Sequence, residues 1–199
     1  MMVRDKESLA DAEDLGIHDI QLLPDCAFAL GTLPRTNGET FEQVFLLRED
    51  VEKVDFGLEK LIELAPGPVF DWATEPDAMR NRSPMAVLES VLAGRLSRSS
   101  IQTFQRDIVA KRRLARGIQM ISMGKRVVSD RLHVHILCML TNTPHVALDN
   151  SYGKVHRFID AWTHDSALVE KALDGHTALL GLAALKDNML KTRPSASPS

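Results

Sequence analysis

The sequence predicts an α/β fold built on a Rossmann-like parallel sheet. Apolar runs of strand length, such as Val44–Leu47, alternate with longer segments of helical periodicity, and this alternation is typical of parallel sheets. The first of these runs ends in charge at residues 48–50. A chain of 199 residues is long enough for one such domain and a fragment of another. Because parallel sheets bind ligands beyond the carboxyl ends of their strands, we expect the functional site at that edge.

The composition excludes several classes of protein. Hydrophobic residues make up 44% and charged residues 26% of the chain, as in globular proteins and not in disordered or fibrous ones. The 24 basic and 27 acidic residues give a net charge of −3, so we predict no nucleic-acid partner. Cys26 and Cys138 are far apart and lack zinc-site spacing. We therefore expect both to be small buried side chains.

Nothing in the sequence predicts a membrane span or a secretory signal. The apolar run Ala178–Leu185 has eight residues, whereas a spanning helix needs about 20. Residues 1–7 are rich in charge and lack the apolar stretch of a signal peptide. The expected location is the cytoplasm.

Residues 1–30 are interpreted as the end of an N-terminal α/β domain that is mostly absent. A strand ending at Val3–Asp5, a helix over Glu7–Leu15 and a second strand over Ile20–Leu23 are predicted there. Such a unit cannot cover both faces of a parallel sheet, so it needs neighbours. The turn-rich residues 31–43 are interpreted as a linker.

Residues 44–192 are interpreted as a C-terminal Rossmann-like domain, and residues 193–199 as a disordered tail. The predicted strands of this domain are Val44–Arg48, Val69–Trp72, Arg126–Ser129 and Val146–Leu148. Its predicted helices are Met85–Leu96, Ile101–Met123, Arg131–Leu140, Tyr152–Trp162, Ser166–Leu173 and His176–Leu190.

The segment Val127–His133 is the most informative part of the sequence. If the strand ends near Ser129 and Asp130 caps the next helix, Arg131 and His133 lie in the first helical turn. The helix dipole, the N–H groups of that turn and a guanidinium together favour a phosphate or carboxylate. His133 could transfer a proton to or from the bound group. An ordinary capped helix with a surface arginine fits the same pattern and is commoner.

His133 and His135 also form a His-x-His pattern, which raises the question of a metal site. On a strand the two imidazoles point to one side, but on a helix they diverge by about 200°. The apolar run that follows fits either state. Because Asp130 and Asp149 are the only obvious nearby carboxylates in sequence and complete no ligand set, we predict no metal ligand.

A second polar cluster follows the next predicted strand. Asp149, Asn150, Ser151 and Lys154 come at its carboxyl end, which lies on the same edge as the helix of the preceding motif. Arg48 ends the first strand of the domain and faces that edge too. Each of these residues equally fits a simple role as a helix cap or a solvated charge.

Two further patterns bear on binding. The predicted helix that contains Arg106 and Arg116 is locally basic, which fits a solvated face better than contact with anionic lipid or another polyanion. No Walker loop or Gly-x-Gly-x-x-Gly motif occurs in the sequence. Nucleotide binding through either motif is therefore not predicted, and no cofactor is assigned.

Two motifs resemble the polysaccharide pyruvyltransferase family. They are Ser129–His133 and Ala147–Val155, and the pair, separated by one helix and one strand, is fairly specific. Shorter stretches at Val3–Ser8 and Pro24–Phe28 are similar to the closing part of the family's N-terminal half. Together the matching stretches cover residues 3–165.

The resemblance implies a two-domain, glycosyltransferase-B-like arrangement in which residues 44–192 form the catalytic C-terminal domain. It also implies transfer of pyruvate from phosphoenolpyruvate to two hydroxyls of a sugar in an exopolysaccharide repeat unit, forming a cyclic ketal. The implied partners are phosphoenolpyruvate and a lipid-linked oligosaccharide or polysaccharide, with peripheral association at the inner face of the cell membrane. The chain departs from the family because most of the N-terminal half is absent.

The resemblance also gives the candidate residues their roles. Arg131 and the helix N-terminus are expected to hold the phosphoenolpyruvate anion, and His133 is expected to act as acid or base. The expected substrate-binding residues are Arg48, Leu132, Asp149, Asn150, Ser151 and Lys154.

Two other functions remain compatible with the sequence. One is a glycosyltransferase-B-like transferase that uses a nucleotide sugar, and the other is a non-catalytic module that serves a partner. Protection against heat by phosphoenolpyruvate or by nucleoside diphosphates distinguishes the two enzymes.

Overall fold

The computed structural model describes residues 1–36, 38–71 and 98–192. Within these ranges the chain forms six α-helices and seven strands, arranged in a five-stranded and a two-stranded sheet. All strand pairs are parallel, as predicted. The predicted helix Met85–Leu96 and the tail 193–199 lie outside the described residues.

The N-terminal unit has the predicted order of strand, helix and strand. Its elements are β1 (Met2–Val3), α1 (Lys6–Asp14), β2 (Gln21–Leu22) and a short 3₁₀ helix (Cys26–Leu30). Strand β1 pairs with β2 to form the two-stranded sheet. The predicted boundaries are correct to within two residues.

The remaining elements form the larger body. Its strands are β3 (Phe41–Leu46), β4 (Val69–Phe70), β5 (Gly124–Ser129), β6 (His145–Ala147) and β7 (Val169–Lys171). Its helices are α2 (Glu59–Leu64), α3 (Arg98–Ser122), α4 (Leu132–Leu140), α5 (Lys154–Trp162) and α6 (Gly175–Thr192). In the described ranges, no helix combines the length and the apolar character that a bilayer crossing requires.

The order of strands in the main sheet is β4-β3-β5-β6-β7. Leu46 lies opposite Ser129, and Ser129 lies opposite Ala147. Strands β3, β5 and β6 therefore end at the same level, and the residues that follow them meet at one edge of the sheet. This is the edge at which the sequence predicts a site.

Helices cover both faces of the main sheet. Alternate residues of β3 point to opposite faces: Phe45 packs with side chains of α2 and α6, whereas Val44 and Leu46 pack with side chains of α3 and α4. Helix α5 joins the second face through Phe158, against α4. The central strands are buried on both sides, which explains their continuous apolar sequence.

The N-terminal unit packs on the side of the body that carries α4 and α5. The indole N–H of Trp162 donates to the carbonyl oxygen of Arg4 at 2.8 Å, and the Arg157 guanidinium lies 2.6 Å from the Glu7 carboxylate. These contacts bring the residues after β1 close to the N-terminus of α4.

Four features differ from the sequence predictions. The predicted helix Ser166–Leu173 contains strand β7, because its residues complete the edge of the sheet by pairing with β6 and its apolar spacing fits either period. Strand β3 begins at Phe41, inside the segment interpreted as a linker. Helix α2 has no counterpart in the prediction. Cys26 is exposed, whereas Cys138 is buried as expected.

Candidate functional site

A cavity of about 130 Å³ opens at the carboxyl edge of the main sheet. Its lining residues are Arg4, Arg48, Arg131, Leu132, His133 and Lys154. We call it the basic cavity, because five of these six side chains are basic. This volume lies below the roughly 300–1,000 Å³ of pockets for drug-sized ligands, so the cavity suits a small ligand.

The N-terminus of α4 supplies three of the lining residues, but the predicted cap is wrong. Arg131, not Asp130, is the N-cap residue, and it makes no side-chain capping bond. The Asp130 carboxylate instead accepts hydrogen bonds of 3.1 and 3.3 Å from the backbone N–H of Arg48. Burial raises the pKa of Asp130 to about 6, although the bond from Arg48 opposes the shift. Asp130 therefore ties the ends of β3 and β5 together.

Arg131 is buried beside carboxylates, with 11% of its side chain exposed. One guanidinium nitrogen, Nη2, lies 2.5 Å from the Asp71 carboxylate and 3.6 Å from that of Asp50. The Nε atom is buried and finds no hydrogen-bond acceptor in the described part of the chain. A buried donor without an acceptor costs about 1–3 kcal/mol, so an anion that accepted from Nε would remove this cost.

Arg48 is fixed by the loop that follows β3. Its guanidinium binds both oxygens of Asp50, at 2.8 and 3.1 Å, and lies 2.7 Å from the Glu52 carboxylate. The hydrogen bond from Arg48 lowers the pKa of Asp50 to about 2, and the same bond raises the pKa of Arg48. Arg48 is thus positively charged, and in the free protein the carboxylates of Asp50 and Glu52 balance this charge.

Glu52 links the second family-like motif, Ala147–Val155, to Arg48. One of its oxygens, Oε2, accepts hydrogen bonds from Lys154 Nζ at 2.6 Å and from Asn150 Nδ2 at 2.9 Å. The same oxygen forms an ion pair with the Arg48 guanidinium. The bond from Lys154 is the largest of the effects that lower the pKa of Glu52. Lys154 lines the basic cavity, and Asn150 is connected to it through the shared Glu52 oxygen.

Asp149 and Ser151, unlike Lys154, do not line the basic cavity. Asp149 Oδ1 accepts from the backbone N–H groups of Asn150 and Val155 at 2.9 and 3.0 Å, so it shapes the turn into α5. Gly153 allows that turn through its positive φ of 71°. Ser151 is exposed and does not line the cavity.

His133 lies at the mouth of the basic cavity. Its side chain is 64% exposed, and its Nε2 atom lies 3.9 Å from the Asp25 carboxylate. Asp25 is in turn paired with Arg4 and accepts from the backbone N–H of Ala27 at 3.0 Å. The imidazole therefore lies at the exposed edge of the cavity, near the Asp25 carboxylate but beyond hydrogen-bond distance from it.

His135 is not a partner of His133 in a metal site, because the pair lies on a helix and diverges. His135 is buried, and its Nδ1 atom lies 2.7 Å from Nε2 of His145. His145 Nδ1 lies 3.0 Å from the carbonyl oxygen of Thr143, and His135 Nε2 lies 3.1 Å from the hydroxyl of Thr163. Among the described residues, no group of three or more metal-ligating side chains is arranged around a common point.

These contacts determine the tautomers of both rings. A carbonyl oxygen only accepts, so His145 Nδ1 donates to it and His145 Nε2 accepts from His135 Nδ1. The Thr163 hydroxyl then donates to His135 Nε2. Burial lowers the pKa of His145 to about 4 and that of His135 further. The rings are neutral and join α4, β6 and α5 beneath the basic cavity.

Sequence reasoning missed the acidic partners of the site. Asp50, Glu52 and Asp71 approach the arginines from the connections after β3 and β4, and Asp25 approaches from the N-terminal unit. A carboxylate four positions after Arg48 was a visible signal for Glu52. The contacts of the others depend on how separate elements pack.

We expect Asn150→Ala to destabilise the fold by about 1–3 kcal/mol, because the substitution removes a donor to Glu52 and the acceptor for the backbone N–H of Lys154. Urea unfolding measures the change. Ser151→Ala, at an exposed neighbour, is the control and should leave stability within about 0.5 kcal/mol of the wild type. Equal stability of the Asn150 variant and the control would contradict the assigned bonds.

The fold and the cavity define an α/β protein with a small cavity, lined mostly by basic side chains, at the carboxyl edge of a parallel sheet. Sequence comparison gives the family: residues 1–152 match polysaccharide pyruvyl transferases. The chain belongs to this family of transferases.

Two relatives agree with this assignment. The chain is 29% identical over 168 residues to a Bacillus subtilis (strain 168) protein named "Putative pyruvyl transferase EpsO", and the match covers 81% of this chain and 50% of that protein. It is 36% identical over 53 residues to "Pyruvyl transferase 1" of Schizosaccharomyces pombe (strain 972 / ATCC 24843), covering 26% of this chain and 13% of that protein. The chain thus spans about half the length of the first relative.

Proposed function

We propose that the basic cavity binds phosphoenolpyruvate and that the protein transfers its pyruvyl group to a sugar of an exopolysaccharide repeat unit. One observation carries the proposal: basic side chains from four separate parts of the chain converge on one small cavity. A ligand with both a phosphate and a carboxylate suits such surroundings. The family match supports the pyruvyl chemistry.

The proposed reaction requires no oxidant or reductant. Two sugar hydroxyls form bonds to C2 of phosphoenolpyruvate, the bond from C2 to the phosphate oxygen breaks, and C3 gains a proton to become a methyl group. One hydroxyl proton balances the proton gained at C3, and the other leaves with the phosphate. Arg131 and Arg48 hold the anionic groups, and His133, which is accessible to solvent and substrate, moves a proton as acid or base.

The proposal includes the arrangement of the complete enzyme. Residues 44–192 act as the C-terminal, Rossmann-like catalytic domain of a glycosyltransferase-B-like pair, and residues 1–30 as the end of the other domain. The acceptor is then an oligosaccharide carried on a lipid, and the protein works in the cytoplasm at the inner face of the membrane. We place the acceptor on the solvent side of the basic cavity, where His133 is exposed.

Thermal unfolding with added ligands tests donor binding. At ten times its dissociation constant, phosphoenolpyruvate should stabilise the protein by about 1.4 kcal/mol, which raises Tm by about 3–6 °C for a chain of this size. Nucleoside diphosphates should give a smaller shift, since the cavity holds only a small ligand.

The same experiment distinguishes the proposal from the other candidate enzyme. A larger shift with a nucleoside diphosphate than with phosphoenolpyruvate would favour a nucleotide-sugar transferase. No shift with saturating phosphoenolpyruvate would contradict the proposed function.

A further inference from the structure

Three hydrogen-bond donors, two of them on side chains that line the basic cavity, converge on a single oxygen atom. Arg48 Nη1, Asn150 Nδ2 and Lys154 Nζ lie 2.7, 2.9 and 2.6 Å from Oε2 of Glu52. The Arg48 and Lys154 donors are cationic, and the three donors come from two parts of the chain, the end of β3 and the turn into α5. Several convergent N–H donors around one oxygen are how proteins bind the oxygen of a phosphate or carboxylate. Glu52 therefore occupies a ready-made anion position.

Asp50 plays the corresponding part on the other side of Arg48. Its carboxylate binds the Arg48 guanidinium through both oxygens and lies 3.6 Å from Arg131. The two arginines are about nine-tenths buried, and a buried charge without a counter-ion is strongly unfavourable. In the free protein the two acidic side chains of this loop supply the negative charge that the cavity requires.

The loop that carries these carboxylates lies at the surface. Val51, between them, is fully exposed, and 40% of the Asp50 side chain and 24% of the Glu52 side chain are in contact with solvent. Moving the Glu52 carboxylate into water therefore exposes little apolar surface. This movement leaves the donors of Arg48, Asn150 and Lys154 open to another anion.

We propose that Glu52, assisted by Asp50, is an internal counter-anion that the donor must displace, so that the Glu52 carboxylate and an oxygen of the donor occupy the same position in turn. The inference rests on the proposed function in taking phosphoenolpyruvate as the donor. It adds a residue that sets the affinity and the charge requirement of the site. A ligand with a phosphate and a carboxylate offers the site more negative charge than the single carboxylate of Glu52 that it displaces.

Displacement also bears on release of the product. The phosphate that leaves at the end of the reaction competes with Glu52 for the same three donors. Return of the carboxylate therefore lowers the affinity for phosphate and helps to empty the cavity.

Anion binding to Glu52→Gln tests the inference. The substitution keeps the size of the side chain and removes its charge, so competition with the ligand is weaker. We expect inorganic phosphate and phosphoenolpyruvate, each titrated calorimetrically, to bind about tenfold tighter to this variant than to the wild type. Asp50→Asn should tighten binding about threefold.

Glu42→Gln is the matched control. Glu42 lies near the opposite end of β3 and pairs with Lys125 and Arg126, so this variant changes the net charge equally but leaves the cavity intact. Its affinity for phosphate should equal that of the wild type. Urea unfolding of all three variants establishes that each is folded at the temperature of the titration.

The possible results separate the inference from the proposed function. Unchanged or weaker anion binding by Glu52→Gln would overturn the inference, while phosphoenolpyruvate binding by the wild type would still support the proposed function. Tighter phosphate binding by Glu52→Gln, without phosphoenolpyruvate binding by either protein, would support the counter-anion and contradict the donor. If no anion bound to either protein, both would be contradicted.

Discussion

Replacing Arg131 by Ala should lower the affinity for phosphoenolpyruvate by about a hundredfold or more and abolish the thermal stabilisation by this ligand. Each charge-assisted hydrogen bond contributes about 1.5–3 kcal/mol, and the substitution removes a guanidinium whose Nε donor has no acceptor among the described residues. The same loss should reduce pyruvyl transfer, measured as release of phosphate, by two or more orders of magnitude, since about 1.4 kcal/mol corresponds to a factor of ten.

Two further variants make the result specific. Arg131→Lys keeps a positive charge but cannot bind two oxygens at once, so it should retain only a small part of the affinity. Lys125→Ala removes a charge from the amino end of β5, the strand that precedes Arg131. Lys125 is exposed there and pairs with Glu42, so this variant should bind phosphoenolpyruvate normally. Undiminished binding by folded Arg131→Ala would remove the main support for the cavity as the donor site.

Acidification from pH 7 to pH 5 should destabilise the protein by about 2–3 kcal/mol through the buried histidine pair. The folded-state pKa values of His135 and His145 are lowered, so between pH 6.5 and about 4 the unfolded chain binds protons that the folded chain does not. Stability is then lost as the pH falls, by about 2 kcal/mol for each histidine at pH 5. Asp130, whose pKa is raised to about 6, has the opposite sign and offsets about 1 kcal/mol.

Urea unfolding at a series of pH values measures this dependence. His145→Asn removes one of the two titrating rings and keeps a donor near the carbonyl of Thr143, so its stability should fall with acid about 2 kcal/mol less than that of the wild type. The surface variant His176→Asn serves as the control and should follow the wild-type curve. Parallel curves for His145→Asn and the wild type would show that the buried pair does not titrate as its environment implies.

The sequence allows the main sheet to be predicted because its central strands are buried on both faces. The apolar runs at 44–47, 127–128 and 146–148 are typical of strands that are buried on both faces. The edges of the sheet are harder. Strand β7 has three residues and acquires its conformation by pairing with β6, so local periodicity misassigned it as a helix.

The same contrast applies to the site. Arg131, His133 and Lys154 follow strand ends within recognisable motifs, and their approach to one edge follows from parallel pairing alone. Among the carboxylates that face them, Glu52 had a visible signal in its spacing from Arg48, but its bonds to Asn150 and Lys154, about 100 positions away, depend on how separate elements pack. Asp130 was predicted to be a helix cap because the sequence does not reveal that its carboxylate instead accepts from the backbone N–H of Arg48, just after β3.

The position of β3 within the main sheet has a consequence for biosynthesis. Its carboxyl end contacts Ser129 through Leu46, and these residues are 83 positions apart. A ribosome that adds about 5–20 residues per second leaves one edge of β3 without its partner for several seconds. During that time the apolar side chains of Val44 and Leu46 await the helices that later bury them. Chaperone binding to the nascent chain would protect this segment from aggregation.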